Sequence, residues 1–463
     1  MIETPTDDAV NLGILIEPEI RSWLENRNYK ELRESLQELD PFDIAQALLV
    51  LSPEERAIVF RILPRRIAAE VFAHLPLSEE EELLHSLGNA HVSGILNELA
   101  PDDRTALLEE LPGQVTKRLI GSLSPQERQV ANTLLGYPEY SVGRLMTPEY
   151  VAVPAEWSIK DTLNHIRLVG REKETINVIY VFDENDHLAA YLPLRRLLIS
   201  DPDQYISEIM RTNVVALNAF DDQETAADVM ARYDMSVLPV IDSEGTLVGI
   251  VTADDVLDVV VEESTEDIHL MGGLEALDEP YNDISFFSLF RKRAGALMLL
   301  FLGGTLTVTA MGVYASGLEK SLLIFIPLII SSGGNSGSQA ATLVIRALST
   351  QEIRLGDWFK VLGREFGMGI MLGILLGAIA FFLVPFWPGG EDVTAAKQSI
   401  IALTVGCAVI TVVLYGTTMG AMLPFVLKRC GMDPAFSSTP LVATVVDATG
   451  IIIYCMVAAL IFY

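Results

Sequence analysis

Apolar residues are distributed very differently in the two parts of the chain. After residue 290 they form five long runs, at about 294–316, 321–345, 363–386, 399–425 and 439–463. A helix of roughly 20 apolar residues crosses the hydrocarbon core of a bilayer. Residues 291–463 are therefore predicted to form a transmembrane domain of five helices.

Residues 1–135 show short apolar segments of helical periodicity instead. The segments recur every 24 residues, in units that begin at Leu51, Leu75, Leu99 and Leu123, with a half-period copy at Leu39. Ser or Asp, Pro and acidic residues open the units, as is typical of helix N-caps and first turns. A superhelical stack of short helices is predicted.

Residues 136–265 contain a second duplication. The segment 142–166 resembles 206–230, and 176–198 resembles 235–257. Each copy has the pattern strand, helix, strand, tight turn, strand, helix, and DENDH and DSEGT are the hairpin turns. This predicts a tandem α/β module.

Charge divides the chain in the same place. The 463 residues carry a formal net charge of −30. Residues 1–290 carry 21 Lys and Arg against 54 Asp and Glu, whereas residues 291–463 carry 11 against 8. This acidic excess disfavours nucleic acid and anionic lipid surfaces and suits cations, although generic acidic solubility is the alternative explanation.

Basic residues predict the orientation in the membrane. They precede the first span (Arg291, Lys292, Arg293) and flank the connections between spans two and three and between spans four and five. The connection between spans three and four is acidic. By the positive-inside rule, the amino-terminal part is cytoplasmic and the carboxyl end is outside. Residues 266–290 are predicted to form a helix that connects the α/β module to the membrane.

Acidic residues recur at three- and four-residue steps through residues 253–269. They are Asp254, Asp255, Asp258, Glu262, Glu263, Glu266 and Asp267. Like charges at this spacing repel each other on one side of a helix unless a cation screens them. Carboxylates without His or Cys suit Mg²⁺ or Ca²⁺. The alternative is a solvated acidic face.

Asp447 interrupts the last apolar run. A carboxylate inside a span costs roughly 2.5–3.5 kcal/mol to insert, and such residues usually face an ion path. The alternative is that Asp447 reaches water from the end of a tilted helix. Nine consecutive small or polar residues, 331–339, occupy the second span, where they are expected to break or loosen the helix and line a cavity. Residues 415–424 form a similar polar window in the fourth span.

Glycines at four-residue spacing are expected to let membrane helices approach each other closely. They are Gly363 and Gly367, and then Gly369, Gly373 and Gly377.

The duplicated module resembles a pair of CBS (cystathionine-β-synthase-type) domains, which commonly bind adenine nucleotides. In that family a Gly-x-x-Thr-x-x-Asp segment holds the ribose. The second copy has this segment as Gly249, Thr252 and Asp255, whereas the first copy reads AYLPLRR at the equivalent place. The resemblance therefore leaves ATP open as a ligand.

The order of domains and several membrane motifs resemble the MgtE family of magnesium channels. The motifs are GGNSGSQ at 333–339, GAMLP at 420–424, Asp433-Pro434, PLVAT at 440–444 and DATG at 447–450. The fold implied is a helical superhelical N-domain, tandem α/β CBS domains, a connecting helix and a five-helix transmembrane domain. The resemblance implies a homodimer in which Asp447 of each subunit holds hydrated Mg²⁺ in the pore. Ala443 would contribute a carbonyl, Asn335 would support the site, and Asp433 would lie at the cytoplasmic mouth.

The same resemblance implies regulatory Mg²⁺ sites among acidic residues of the first 290 residues. The matching positions are Asp222, Glu224, Asp234, Asp255, Asp258, Glu263, Glu266 and Asp267, with Asp102 and Asp103 from the helical domain. Asp102 and Asp103 stand at a predicted helix start, so a capping role alone is the alternative for them.

The function expected is Mg²⁺ uptake through a channel in the inner or plasma membrane, closed when cytoplasmic Mg²⁺ binds the acidic domains. The expected partners are a second copy of the chain, Mg²⁺ and membrane lipid. The alternatives are a coupled carrier of Mg²⁺ or Co²⁺ and a membrane-anchored nucleotide sensor. An enzyme is not expected, because the sequence offers no arrangement of nucleophile and base or of metal and water.

Overall fold

The computed structural model describes residues 12–87, 89–111, 113–277, 281, 284–386 and 394–462. It divides into two compact units, Met1–Val260 and Val261–Tyr463, and each is described by itself. The first unit holds the helical repeats and the tandem module, and the second holds the membrane helices.

Ten helices of the described residues form the first part of unit one, in agreement with the predicted stack of short helices. They are α1 (Leu12–Glu25), α2 (Tyr29–Leu36), α3 (Pro41–Leu49), α4 (Pro53–Ile62), α5 (Arg65–Ala73), α6 (Leu77–Ser86), α7 (Asn89–Glu98), α8 (Pro101–Glu110), α9 (Gly113–Ser122) and α10 (Pro125–Leu134). From α3 onward a new helix begins every 12 residues, so the 24-residue period is a pair of helices. A buried leucine follows each of the helices α4 to α9, and together these leucines form part of one continuous core.

A buried arginine fixes the turn between successive helices. Arg56 on α4 donates to the Leu48 and Leu51 carbonyls. Arg104, one 48-residue step later on α8, donates to the Leu96 and Leu99 carbonyls at 3.1 and 3.3 Å. In both cases one acceptor lies in the preceding helix and the other in the connection that follows it, so the arginine ties its own helix to the end of the preceding one.

The tandem module has the predicted order in both copies. The first copy contains α11 (Val142–Leu145), β1 (Val151–Pro154), α12 (Ile159–Val169), β2 (Val178–Phe182), β3 (Leu188–Pro193) and α13 (Leu194–Ile199). The second contains α14 (Ile206–Ile209), β4 (Leu217–Asn218), α15 (Gln223–Tyr233), β5 (Val237–Ile241), β6 (Leu247–Thr252) and α16 (Ala253–Met271). In each copy the first two strands pair in parallel, the last two form an antiparallel hairpin, and the helices cover a separate apolar core.

The helix predicted over 266–290 is wrong in its extent. The structure places residues 266–271 in the end of α16, and Gly272 and Gly273 terminate that helix, Gly273 with a positive φ of 75° that suits glycine. The next helix begins at Phe286, where the Ser285 hydroxyl accepts the Ser288 amide.

Among its described residues, the second unit contains five helices that are long and apolar enough to cross a membrane, as predicted. They are built from α17 (Phe286–Tyr314), α18 (Lys320–Leu323) with α19 (Ile326–Ser349), α20 (Trp358–Leu383), α21 (Ala395–Arg429) and α22 (Thr439–Ile461). Most of the acidic connection between spans three and four, residues 387–393, lies outside the described residues.

The expectation that the polar stretch 331–339 breaks its helix is wrong, because α19 is continuous through it. Its hydroxyls satisfy local or neighbouring groups: Ser332 donates to the Leu328 carbonyl at 2.7 Å, and Ser336 lies 2.6 Å from the Thr417 hydroxyl of α21. Its glycines let α21 approach closely. A Cβ at Gly420 would lie 2.0 Å from the Gly337 carbonyl oxygen.

The predicted close helix contacts are confirmed for three of the five glycines of α20, Gly369, Gly373 and Gly377. A Cβ at Gly373 would lie 2.9 Å from the Ile410 carbonyl oxygen, and one at Gly377 would lie 2.8 Å from that of Gly406, so α20 and α21 meet there. The prediction is wrong for Gly363 and Gly367, where an added Cβ would meet nothing within 4 Å. At these two positions α20 leaves room for a side chain with respect to all residues that the structure describes.

Candidate ion-binding sites

The structure brings six carboxylates of unit one together where the helical repeats meet the tandem module. We call this the interdomain acidic cluster; its members are Asp102, Asp103, Glu174, Asp254, Asp255 and Asp258. Asp102 and Asp103 stand in the first turn of α8, and the last three stand at the start of α16. An ion pair at 3.0 Å between Arg144 of α11 and Glu109 of α8 also joins the two parts.

The electrostatics show that these side chains repel one another. Burial raises the pKa of Asp102 well above its usual value, and the charges of Asp255 and Asp103 raise it further. Burial raises the pKa of Asp255 to about 7, with added repulsion from Asp254 and Asp103 and an opposing hydrogen bond from Thr252. Buried like charges disfavour ionisation in this way, and a cation bound among them relieves the repulsion.

The capping alternative for Asp102 and Asp103 finds little support. The N-cap of α8 is Ala100, which makes no side-chain cap, and Pro101 follows it. Within the part of the chain that the structure describes, the Asp102 carboxylate accepts a hydrogen bond only from the Asp103 amide, at 3.1 Å, and the residue is 8% exposed. A buried carboxylate with this single hydrogen bond among other acids is better suited to a cation than to holding a helix end.

The sequence reasoning missed two acids, one within this cluster and one beside it. Glu174, which follows α12, has its pKa raised by desolvation and by the charges of Asp254 and Asp103. It lies in the longer middle segment of the first copy, an insertion visible from the unequal spacing of the duplicated blocks.

Glu80 is the second acid that was missed. It stands 24 residues after Arg56 and 24 before Arg104, so it occupies the position of the buried repeat arginine. Burial and the charge of Asp103 raise its pKa to about 8. The reversal of charge at one repeat position was the signal that could have identified it.

The predicted regulatory residues of α15 do not come together. Asp222 is the N-cap, where its carboxylate accepts the Glu224 amide at 2.9 Å, and Asp234 is the left-handed C-cap with a φ of 50°. The 11 residues of α15 separate the two ends by roughly 16 Å, at about 1.5 Å per residue. Asp222 and Asp234 of one chain therefore cannot share an ion.

Three of the remaining acids of α16 form a separate group in unit two with an acid that precedes α22. We call it the membrane-proximal cluster; it consists of Glu263, Glu266, Asp267 and Asp433. Burial and the charges of Glu263 and Asp433 raise the pKa of Glu266. Burial and Asp433 also raise that of Asp267, while a hydrogen bond with Ser349 and the charge of Lys428 lower it. The acids of residues 253–269 thus divide between two clusters.

Asp447 lies on α22 against the polar stretch of α19. Its Oδ1 atom would be 3.4 Å from a Cβ at Gly334, and Ala443 would be 3.7 Å from the same point. The absence of a side chain at Gly334 therefore leaves room for the carboxylate. Asn335, the next residue of α19, is exposed, and its amide donates to the Ser331 hydroxyl at 3.4 Å.

No group of three or more His, Cys, Asp or Glu side chains among the described residues is arranged to hold a metal ion by itself. Mg²⁺ usually keeps several of its waters and is bound by one or two carboxylates, so its binding does not require a full set of protein ligands.

The nucleotide segment of the second copy has structural partners. Thr252 donates to Asp255 at 2.5 Å. A Cβ at Gly249 would lie 2.7 Å from the Met146 sulfur and 3.0 Å from the Thr147 carbonyl oxygen, so the glycine permits close packing of β6 on the preceding segment. Asp255 is thus held by the segment and at the same time belongs to the interdomain acidic cluster.

Comparison with known proteins agrees with this architecture. A family model described as a divalent cation transporter matches residues 326–457, a model of the MgtE intracellular N domain matches 39–140, and a CBS-domain model matches 206–262. The magnesium transporter MgtE of Thermus thermophilus is 40% identical over 448 residues, which are 95% of this chain and 97% of that protein. That of Bacillus subtilis is 27% identical over 456 residues and 98% of both chains.

Two solved structures each resemble about half of this chain. The cytosolic domain of the Mg²⁺ channel MgtE in complex with ATP is 40% identical, with a TM-score of 0.51, and covers 52% of this chain and 99% of its own. The soluble part of a magnesium transporter is 27% identical, with a TM-score of 0.52, and covers 54% and 99%.

Proposed function

The chain belongs to the MgtE family of magnesium transporters, and on this premise we propose that it conducts Mg²⁺ through the membrane and is closed by cytoplasmic Mg²⁺. The observation that carries the proposal is the pairing of one membrane carboxylate, Asp447, with a polar and glycine-rich α19. The two acidic clusters of α16 support the regulatory part.

Asp447 is the proposed pore residue. The close approach of Gly334 lets its carboxylate lie beside α19 without a competing side chain, and Ala443 stands one helical turn earlier on α22. Conduction needs binding that is strong enough for the ion to enter and weak enough for it to leave, and one carboxylate binds hydrated Mg²⁺ only weakly. We therefore propose that a second copy of the chain supplies an opposing Asp447, so that two carboxylates bind the hydrated ion. We also propose that Asn335 lies near the ion path.

Exposed apolar side chains support the proposed homodimer and lipid contacts. In the first copy of the module, Leu168 and Ile199 are 81% and 77% exposed, although both stand on the ends of helices. On α17, Phe287, Phe301 and Val308 are exposed in the same way. Such patches mark protein or membrane interfaces. The basic residues that precede α17 support a cytoplasmic amino-terminal part and an outer carboxyl end.

Regulation would use the repulsion within the interdomain acidic cluster. At low Mg²⁺ the ionised carboxylates favour separation of α8 from α16, and at high Mg²⁺ bound ions neutralise them and favour the packed arrangement. Asp102, Asp103, Asp255 and Asp258 are the proposed ligands. The ion can shift this equilibrium because its affinity differs between the two arrangements. The membrane-proximal cluster, with Asp433, would respond in the same way.

ATP is proposed as an additional ligand of the tandem module. The support is that a 40% identical cytosolic domain was solved with ATP and that Gly249, Thr252 and Asp255 keep the ribose segment. Calorimetry with the full chain should show ATP binding that Thr252→Ala weakens.

Mg²⁺ flux into liposomes tests the proposal. Wild-type protein should pass Mg²⁺, whereas Asp447→Ala should reduce flux to the level of empty liposomes. Glu365→Gln removes an acid from α20 and is the matched control, with flux expected at the wild-type level. Undiminished flux through Asp447→Ala would remove the pore assignment, and dependence on an opposing Na⁺ or H⁺ gradient would favour a coupled carrier.

A further inference from the structure

A cavity in the helical repeats has the opposite character to the rest of unit one. It measures about 310 Å³ and is lined by residues of α2, α4, α5 and α7 with the connections between them. Its lining residues are Arg33, Phe60, Arg61, Leu63, Pro64, Arg65, Ala68, Leu87, His91 and Ile95. Three are arginines, one is histidine, and none is acidic, in a chain with 62 acidic residues and 32 Lys and Arg.

Two of these arginines have no partner of their own. Among the described residues, the side chains of Arg33 and Arg65 make no hydrogen bond or ion pair. Their neighbours on the same helices differ: Arg66 pairs with Glu70 at 2.6 Å, and Lys30 pairs with Glu34 at 3.8 Å. Glu70 and Glu34, two acids on these helices, therefore pair with basic residues that do not line the cavity.

The backbone holds the basic groups in place. A Cβ at Gly94 would lie 3.4 Å from Arg65 Nε, so the glycine lets the Arg65 side chain lie against α7. Arg61 donates to the Ser86 carbonyl at 3.2 Å, which ties the end of α4 to the end of α6. Arg65 opens α5, whose first N–H groups and dipole add to the positive potential.

Part of the cavity lining is apolar. Phe60, Leu63, Leu87 and Ile95 are all buried, and we call these four residues the apolar floor of the cavity. A volume near 300 Å³ with apolar walls and a few convergent polar groups is typical of small-molecule sites. Arginines favour phosphate and carboxylate because their N–H groups can make two parallel bonds.

We propose that this cavity binds a small organic phosphate whose non-phosphate part is apolar. Arg33 and Arg65 bind the phosphate, and the buried floor covers the apolar part. The cavity shares no residue with the interdomain acidic cluster or with the nucleotide segment of the tandem module. The organic phosphate would therefore be a ligand in addition to the proposed Mg²⁺ and ATP.

Titration calorimetry of the full chain in detergent, without Mg²⁺, tests the proposal with phenyl phosphate and inorganic phosphate as probes. Phenyl phosphate should bind once per chain and more tightly than inorganic phosphate. Arg33→Gln and Arg65→Gln should each weaken its binding about tenfold or more, the loss expected for one charge-assisted hydrogen bond. Arg66→Gln is the matched control, because Arg66 is exposed, pairs with Glu70 and does not line the cavity.

Circular dichroism melting of each variant shows that the fold is kept; Arg33 and Arg65 are exposed, so the melting temperature should not change. No binding of phenyl phosphate at millimolar concentration would overturn the proposal. Equal binding by wild type, Arg33→Gln and Arg65→Gln would also overturn it, since the ligand would then lie elsewhere. Equal affinity for both probes would overturn the role of the apolar floor.

Discussion

Replacement of Asp255 by Asn should stabilise the first unit in the absence of Mg²⁺ and reduce its response to Mg²⁺. The carboxylate is surrounded by Asp102, Asp103 and Asp254, and its pKa is raised from 3.8 to about 7. At 1.36 kcal/mol per pKa unit, ionisation of this side chain at pH 8 opposes folding by about 4 kcal/mol. Asn removes that cost and keeps the size of the side chain.

The sign of the pH dependence follows from the direction of the shift. Because the folded-state pKa is raised, the folded state holds the proton more tightly than the unfolded state. The stabilisation is complete below about pH 4 and is lost as the pH rises through about 7. Metal-free wild-type protein should therefore melt at a lower temperature at pH 8.5 than at pH 6, and Asp255→Asn should flatten this decrease.

Fluorescence-detected melting of the full chain measures the effect. Trp23 and Trp157 report on the first unit when Trp358 and Trp387 are replaced by Phe. A change of about 4 kcal/mol corresponds to a shift on the order of 10 °C for a unit of this size. At pH 8, Mg²⁺ should raise the wild-type melting temperature because it binds the folded cluster, and it should raise that of the variant less.

Glu156→Gln is the matched control for this experiment, since Glu156 is exposed and its removal changes the net charge by the same amount. It should behave like the wild type with respect to both pH and Mg²⁺. If Asp255→Asn left the pH dependence and the Mg²⁺ response of the wild type intact, the interdomain acidic cluster would not be a cation site.

Three further substitutions test other parts of the structure. Gly420→Ala would place a Cβ 2.0 Å from a carbonyl oxygen of α19, so the yield of folded protein in detergent should fall sharply, whereas Gly363→Ala meets nothing within 4 Å and should express normally. Equal yields would contradict the packing of α19 on α21. Glu80→Arg restores the repeat arginine beside Asp103 and should raise the Mg²⁺-free melting temperature; a decrease would contradict the assigned repulsion. Arg104→Ala should cost about 3–5 kcal/mol in urea unfolding, because Arg104 is fully buried, and Arg128→Ala about 1 kcal/mol, because Arg128 is exposed. Similar costs for both would contradict the role of burial.

Local patterns were sufficient to predict most of the helices and strands. The helical repeat, the two hairpins of the tandem module and the five spans each follow from periodicity and turn residues near in sequence. The same reasoning failed where packing decides the outcome. A run of Gly, Ser and Asn weakens an isolated helix, but in α19 the glycines contact α21 and the hydroxyls find partners, so the helix continues.

The candidate sites were predicted less completely, because distance along a helix does not show which other element will face a residue. The acids of α16 look like one stripe in sequence, yet Asp255 repels Asp102 while Glu266 repels Asp433. Asp222 and Asp234 both resemble ligands in sequence, but α15 places them at opposite ends. Their assignment as regulatory ligands stays a prediction that a second copy of the chain would have to complete.

The most direct test of the account is Mg²⁺ flux in liposomes with Mg²⁺ varied on the cytoplasmic face alone. We compare the wild type with the triple variant Asp102→Asn, Asp255→Asn and Asp258→Asn. The account predicts that wild-type flux falls as cytoplasmic Mg²⁺ rises, and that the triple variant stays open at concentrations that close the wild type. Closure of both proteins at the same concentration would contradict it.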